Sequence, residues 1–230
     1  MYFGFQDGRL GLPENDTRTV EYGAIPYEIT HPGEQCEVVR GGQFIQCSDE
    51  PGQDLPPTWL TILTSMFMHG SILHLGGNML FLWIFGNNIE DSMSLWRFVL
   101  FYLLGGAAAV LGQTLLDTDS AIPTVGASGA IAAVLGAYAL LYPRARVVTL
   151  ILIVVFITVV ELPALLVLGG WFLLQVLYGS ADLAHPTGGE GGGVAYFAHI
   201  GGFVFGLLLI KLFANDVHDD YDRPQRLPVY

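Results

Sequence analysis

The chain has 230 residues, of which 52% are hydrophobic and only 13% are charged, and its formal net charge is −12. Soluble domains carry about a quarter charged residues, so this composition excludes an ordinary soluble protein. The acidic balance also disfavours nucleic acid as a partner, because nucleic-acid binding needs a basic surface.

The hydrophobic residues are gathered in blocks that are nearly free of charge, and several approach the ~20 residues that a helix needs to cross a bilayer. The blocks are 59–68, 72–86, 95–116, 124–142, 147–178 and 194–213. We therefore predict an all-α polytopic membrane protein that has the lipid bilayer as its surroundings.

The polar segment ahead of these blocks contains both cysteines of the chain, Cys36 and Cys47. The ten residues between them include a Gly-Gly pair, so the segment suits a hairpin closed by a disulfide. Such a bond requires an oxidising compartment, and therefore a position outside the cytoplasm. The alternative is that Cys36 and Cys47 are two unrelated free thiols.

Arginine and lysine predict the orientation, because they favour the cytoplasmic side of a membrane. Cytoplasmic positions for Arg97, Arg144, Arg146 and Lys211 leave the connections 117–121 and 180–193 outside, and neither contains a basic residue. We thus expect an extracytoplasmic segment at 1–58, a membrane domain at 59–213 and a cytoplasmic acidic tail at 214–230. The expected location is the plasma membrane, in a prokaryote.

Two of the apolar stretches are interrupted. His69 and Gly70 break the first, and Ser71 is a suitable N-cap for a helix from Ile72, so the preceding TWLTILTSMF is expected at the outer interface. The β-branched run 147–160 is short for a crossing and ends at an acidic residue and a proline that indicate a helix start near Leu162. We expect this run at the cytoplasmic side. Five crossing helices result, at about 72–88, 97–116, 125–142, 162–178 and 194–213.

Polar side chains inside crossing helices are functional candidates, because the membrane interior tolerates few of them. They are His74 and Asn78 in HLGGN, Ser128 in GASG and His199 in AHIGG. Ser128 and His199 lie a few residues inside the outer ends of their helices, and the i, i+4 spacing puts His74 and Asn78 on one face. Taken singly, each has a structural explanation as packing, interhelical hydrogen bonding or proton relay. Together, at one depth, they predict a site.

Small residues predict that the helices carrying Ser128 and His199 pack closely. Gly202 and Gly206 form one small-residue face, and Gly129, Ala133 and Ala137 form another. Such faces let two membrane helices approach until their backbones touch. This proximity is what a hydrogen bond between a serine and a histidine on neighbouring helices requires.

These motifs resemble the signatures of the rhomboid family, and the similarity covers roughly residues 57–213. It is carried by TSMFMHGSILHLGGNMLFLWIFGNNIED, FYLLGGAAA, PTVGASGAIAAVLGAY, VELPALLVLGGWFLLQ and AHIGGFVFG. The resemblance implies a rhomboid-like helical bundle and an intramembrane serine endopeptidase that cleaves transmembrane segments of membrane proteins near the outer face. It implies Ser128 as nucleophile and His199 as general base in a dyad, with His74, Asn78 and the Ser128 backbone N–H stabilising the oxyanion.

The resemblance also implies a lateral gate for substrate, with Trp171 and Phe172 opposite the helix that carries His74. The alternative is that Trp171 is an interfacial anchor. The glycine-rich loop 180–193 suits a movable cap over the site, and His69 falls on a family histidine that we interpret as structural. No organic cofactor and no metal is implied, since the H-E-x-x-H motif of metalloproteases is absent from the sequence.

Two departures from the family pattern accompany the resemblance. The family has six crossing helices and this sequence starts after the first, so either the N-terminus is truncated or the protein works with five. Some members have an aromatic residue four positions after the nucleophile, where this chain has Ala132. His199 must then be held by other contacts. The rival functions are a catalytically dead rhomboid-like protein, which typically lacks the serine or the histidine, and a transporter, for which no inverted repeat is visible.

Overall fold

The computed structural model describes residues 14–39, 44–50, 54–153, 156–184 and 194–215. In these ranges it contains eight α-helices, one short 3-10 helix and four strands. In chain order they are α1 (Glu14–Tyr22), α2 (Pro26–Thr30), β1 (Gln35–Val39), β2 (Phe44–Ser48), α3 (Thr58–Thr64), the 3-10 helix (Ser65–Phe67), α4 (Ile72–Asp91), α5 (Leu95–Leu116), α6 (Ser128–Leu141), β3 (Arg146–Ile153), β4 (Phe156–Pro163), α7 (Ala164–Ala184) and α8 (Tyr196–Phe213).

All five predicted crossing segments are helices, and together they form the helical bundle. Among the described residues, α5, α7 and α8 are long and apolar enough to cross a membrane by length and composition. Helix α4 has 20 residues but carries several polar ones, and α6 has only 14 residues. At 1.5 Å per residue α6 is about 21 Å long, which is less than the ~30 Å hydrocarbon core.

The short helix α6 lies at the centre of the bundle. Every residue from Gly129 to Ala139 is buried, so this helix contacts protein on all sides. An apolar length that matches the bilayer is needed only where a helix faces lipid, and the central position therefore accounts for its shortness. Ser128, predicted to lie a few residues inside its helix, is instead the first residue of α6.

Glycines bring α6 and α8 into backbone contact, as the small-residue faces predict. A Cβ atom added at Gly202 would lie 2.1 Å from the carbonyl oxygen of Gly129, and one added at Gly206 would lie 1.9 Å from that of Ala133. No side chain fits at either position. The approach fixes α8 against the first two turns of α6.

The segment between α6 and α7 is an antiparallel β-hairpin, with β3 and β4 paired from Arg146 opposite Pro163 to Ile153 opposite Phe156. The sequence correctly excluded this run from the crossing helices but did not predict strands. Its β-branched residues favour extended backbone, and pairing satisfies the peptide groups that a lone strand would leave open. Because β4 continues through Pro163, α7 begins at Ala164, two residues after the predicted start.

A second hairpin belongs to the segment ahead of the bundle. Strands β1 and β2 pair with Cys36 opposite Cys47, and the two sulfur atoms are bonded at 2.00 Å. Cys36 is fully buried and packs with Val20 and Ile25, and its backbone N–H donates to Oε1 of the buried Glu28 side chain. The Gly-Gly pair at 41–42 lies outside the described residues, as do 185–193 of the predicted movable loop. Residues 180–184 of that loop belong to α7.

The same segment is attached to the connection between α5 and α6. Ala24 and Thr124 form an antiparallel bridge with N···O distances of 3.1 and 2.8 Å. The backbone N–H of Tyr27 donates to the Ser120 carbonyl, and the Thr30 hydroxyl donates to the Thr118 carbonyl. The residues that lead into α6 are thus held from outside the bundle.

Candidate active site

Ser128 and His199 are in direct contact. The Nε2 atom of His199 lies 2.8 Å from the Oγ atom of Ser128, although the two residues are 71 positions apart. Ser128 opens α6 and His199 is in the first turn of α8, so the glycine contact between these helices sets their separation. A hydroxyl in hydrogen-bond contact with an imidazole nitrogen is the arrangement that makes a serine nucleophilic.

A glycine shapes the approach to Ser128. Gly126 has a φ angle of +119°, which L side chains rarely adopt, and its backbone N–H donates to the Ser65 carbonyl at 2.9 Å. A Cβ atom added at Gly126 would lie 2.8 Å from Cε1 of His74. The glycine therefore allows both the turn into α6 and the proximity of the His74 ring to that turn.

His74 and Asn78 approach the same point from α4. Ser71 caps this helix as predicted, because its hydroxyl accepts from the backbone N–H of His74 at 3.1 Å. Asn78 is only 7% exposed, and its Nδ2 atom has no hydrogen-bond partner among the described residues. A buried amide donor without a partner is costly in a folded protein, and so marks a place where a ligand group is expected to accept.

A cavity of about 780 Å³ joins these side chains. Its lining includes His74, Asn78, Ser128 and His199, and it also includes Leu73, which is 85% exposed. The cavity therefore extends from the pair to the surface of the bundle. The lining also includes Ser128, Gly129 and Ala130, the first residues of α6, whose backbone N–H groups have no partner within the helix.

His199 has two further contacts, both from α7. Its Nδ1 atom lies 2.9 Å from Oε1 of Gln175, and its ring lies 5.7 Å from the ring of Trp171, centroid to centroid. With Ala132 at the position where some family members have an aromatic residue, His199 is held by these contacts from α7. Gln175 was not singled out from the sequence. The signal was present, since Gln175 is a polar residue inside an apolar crossing helix, like Asn78.

The predicted gate residues on α7 contact α8, and Trp171 also lines the cavity, opposite residues of α4. Phe172 stacks on Phe203 of α8 at 4.6 Å, and Trp171 also contacts that ring at 6.2 Å. On α4, a Cβ atom added at Gly76 or Gly77 would meet no atom within 4 Å. The gate itself stays a prediction.

His69 is buried beside the site. Its ring makes an edge contact with the His74 ring at 5.3 Å. Burial, and secondly the neighbouring His74, lower the pKa of His69, so its neutral form is favoured. This position behind His74 is compatible with the structural role that the sequence predicts.

Comparison with known proteins gives one family. Residues 56–216 match the Rhomboid domain. The chain is 32% identical over 162 residues to Rhomboid protein 1, mitochondrial, of Saccharomyces cerevisiae, covering 68% of this chain and 42% of that protein. It is 32% identical over 154 residues to the mitochondrial Presenilin-associated rhomboid-like protein of Mus musculus, covering 65% of this chain and 37% of the relative. Over 79 residues it is 40% identical to Rhomboid protease GluP of Bacillus subtilis, covering 34% of this chain and 15% of the relative.

The chain thus spans less than half the length of these three relatives. Two of them carry mitochondrial names, so the comparison does not support the predicted plasma membrane or a prokaryotic source. The apolar helices support the coarser statement that this is a membrane protein.

Proposed function

Because the chain belongs to the rhomboid family, we propose that it is an intramembrane serine endopeptidase that cleaves transmembrane segments near the outer face of the membrane. The observation that carries this proposal is the 2.8 Å contact between Ser128 Oγ and His199 Nε2 within an apolar helical bundle. Few chemistries need a serine and a histidine hydrogen-bonded in such surroundings, and acyl transfer is the main one.

The reaction would proceed in two stages. His199 Nε2 accepts the Ser128 proton as Oγ attacks a peptide carbonyl, and the same nitrogen then donates that proton to the departing amine. Water next hydrolyses the acyl ester by the reverse proton path. The negative oxygen of each tetrahedral intermediate would accept from the Asn78 amide and the Ser128 backbone N–H, with His74 beside them.

Substrate is proposed to enter sideways from lipid, between α4 and α7. A stable helix hides its carbonyls, so the substrate must present an extended stretch at the cavity. Open space beside Gly76 and Gly77 and the exposed Leu73 support entry on the α4 side. In this proposal Trp171 and Phe172 close the gap until substrate arrives.

A cysteine pair across the gap tests this route. One cysteine replaces Gly77 on α4 and the other replaces Phe172 on α7, and bismaleimides of increasing length link them. A short linker should stop cleavage of a transmembrane reporter yet spare labelling of Ser128 by a small fluorophosphonate, which needs no lateral entry. If the linked protein cleaves the reporter at the unlinked rate, substrate enters elsewhere.

The competing function is a rhomboid-like protein without catalysis. Substitution separates the two functions: Ser128→Ala and His199→Ala should each abolish cleavage in liposomes without unfolding the chain, and the probe should label the unsubstituted protein at Ser128. Ser180→Ala is a matched control, because among the residues that the structure describes the Ser180 hydroxyl bonds to carbonyls of its own helix, those of Val176 and Leu177. Cleavage by Ser128→Ala at the unsubstituted rate would refute the proposal.

The topology is part of the proposal. Segment 1–58 lies outside, 59–213 is the membrane domain and 214–230 is the cytoplasmic tail. The Cys36–Cys47 disulfide supports this orientation, since it requires an oxidising compartment on the side of β1 and β2. We keep the plasma membrane as the proposed location, and fractionation of cells that express the chain tests it.

A further inference from the structure

We propose that Gln175 is a positioning residue that fixes the tautomer of His199, so that Nδ1 carries the proton and Nε2 is free to accept from Ser128. The inference rests on the proposed function, because it assigns the means by which the base of that reaction is prepared. It concerns a residue that acts through His199 and does not touch the substrate.

The geometry of Gln175 determines which of its amide atoms faces the ring. Its Nε2 atom donates to the carbonyl oxygen of Trp171 at 3.5 Å, one turn earlier in α7, and its Oε1 atom lies 2.9 Å from His199 Nδ1. The reversed amide would set its oxygen against the Trp171 carbonyl oxygen, so that two acceptors would face each other. The observed orientation is therefore the one with both hydrogen bonds.

The proton position on the ring follows from this orientation. An amide oxygen only accepts, so His199 Nδ1 must donate to it. A neutral imidazole carries one N–H, and His199 Nε2 is left with the lone pair that Ser128 needs. The opposite tautomer would leave Gln175 Oε1 without a donor in a side chain that is only 8% exposed, and would turn His199 Nε2 into a competing donor.

The choice of an amide suits the surroundings. A carboxylate in this position would have to be desolvated inside an apolar bundle, which is costly without a paired cation. Glutamine supplies an acceptor to Nδ1 with no charge to bury. The Trp171 ring, 5.7 Å from the imidazole, restricts its tilt from a second direction.

The alternative is that Gln175 merely joins α7 to α8. Gln113 offers the matched control, because it is a second glutamine that contacts α8 beside the site. Its Oε1 atom accepts from the backbone N–H of Ala198 at 3.2 Å, so it supports α8 without touching the imidazole. Loss of a helix contact alone should affect Gln113→Leu and Gln175→Leu alike.

The test uses the full chain in liposomes, with the rate of fluorophosphonate labelling at Ser128, kcat and KM on a transmembrane reporter, and ¹⁵N spectra of histidine-labelled protein. The His199 signals are assigned by difference from His199→Ala. We expect Gln175→Leu to lower labelling and kcat by about 10- to 100-fold with little change in KM, less than the ~10⁴-fold loss that a wrong tautomer causes in a serine-protease triad. In the spectra, the protonated nitrogen should move from Nδ1 to Nε2.

Gln175→Glu keeps an acceptor for His199 Nδ1. On a logarithmic scale, its labelling rate and kcat should regain at least half of the decrease seen in Gln175→Leu. Gln175→Met serves if the leucine variant does not fold. Gln113→Leu should keep its labelling rate within about twofold and the Nδ1–H tautomer unchanged. An unsubstituted protein that is neither labelled nor active would refute the proposed function. Normal labelling of the unsubstituted chain, with the same rate and tautomer in Gln175→Leu or Gln175→Met, would refute only the role of Gln175.

Discussion

The contact between α6 and α8 predicts that Gly202, which takes no part in the proposed chemistry, is needed for activity. Replacing Gly202 by alanine would put a Cβ atom 2.1 Å from the Gly129 carbonyl oxygen, whereas ordinary contacts begin at 3.4 Å. The two helices must then separate locally by about 1.3 Å. Gly202 is one turn from His199, and Gly129 directly follows Ser128, so the separation acts at the pair itself.

The magnitude follows from the same distances. A displacement of this size would lengthen the 2.8 Å contact between Ser128 and His199 to about 4 Å, beyond the reach of a hydrogen bond. A 1 Å misplacement of reacting groups can cost about 10²-fold in rate, so we expect cleavage by Gly202→Ala to fall by about that factor. Overpacking should also lower the free energy of unfolding by about 1–3 kcal/mol.

The assay is cleavage of a transmembrane reporter in liposomes, divided by the amount of folded protein. Gly169→Ala is the control, because a Cβ atom at Gly169 meets no atom within 4 Å and alanine is the better helix former, by up to ~1 kcal/mol. Its activity should equal that of the unsubstituted protein. If Gly202→Ala were destabilised but cleaved normally per folded molecule, the glycine contact would not set the geometry of the pair.

Three further predictions concern the proposed oxyanion donors and the segment ahead of the bundle. Asn78→Ala and His74→Ala should each lower kcat by about 10²–10³-fold with an unchanged melting temperature, and a fall in melting temperature alone would assign them to packing. Burial raises the pKa of Glu28 despite the hydrogen bond from Cys36, so between its unfolded and folded pKa values the folded form binds more protons than the unfolded form. The stability that this contributes is complete below the ordinary carboxyl pKa of about 4.3 and is lost as pH rises through the raised pKa. Glu28→Gln keeps the acceptor and should remove that decline, as measured by thermal unfolding against pH, whereas an unchanged pH profile would count against a raised pKa of Glu28. Replacing both Cys36 and Cys47 by serine opens a 12-residue loop and should lower the free energy of unfolding by about 3 kcal/mol. Two freely alkylated thiols in the unreduced protein would contradict the disulfide.

Much of the bundle could be predicted from local patterns. Hydrophobic blocks locate the crossing helices, Ser71 locates the start of α4, and the glycines of α6 and α8 locate their contact, because each of these features is encoded within a few residues. The positions of Ser128 and His199 on two adjoining helices follow from the same patterns.

The remaining features depend on contacts between distant residues. The run 147–160 has the composition of a strand, but its strand state requires a partner, and that partner is the other half of the same run. The start of α6 at Ser128 depends on Gly126, whose amide is held by Ser65. Gln175, by contrast, could have been predicted from the sequence. It is a polar residue inside an apolar crossing helix, which is the property that selected Asn78.

The position of α8 in the chain determines when during biosynthesis the site becomes complete. Ser128, the proposed nucleophile, emerges from the ribosome 71 residues before His199, its proposed base, and α8 is the most C-terminal of the described helices. Until α8 inserts, Ser128 lacks the His199 imidazole that would accept its proton, and Gln175 has no ring to orient. On the proposed mechanism, the growing polypeptide therefore cannot cleave neighbouring proteins before α8 is in place. If the chain is expressed as two fragments divided between α7 and α8, neither fragment alone should cleave the reporter. Co-expression of the two fragments should restore cleavage.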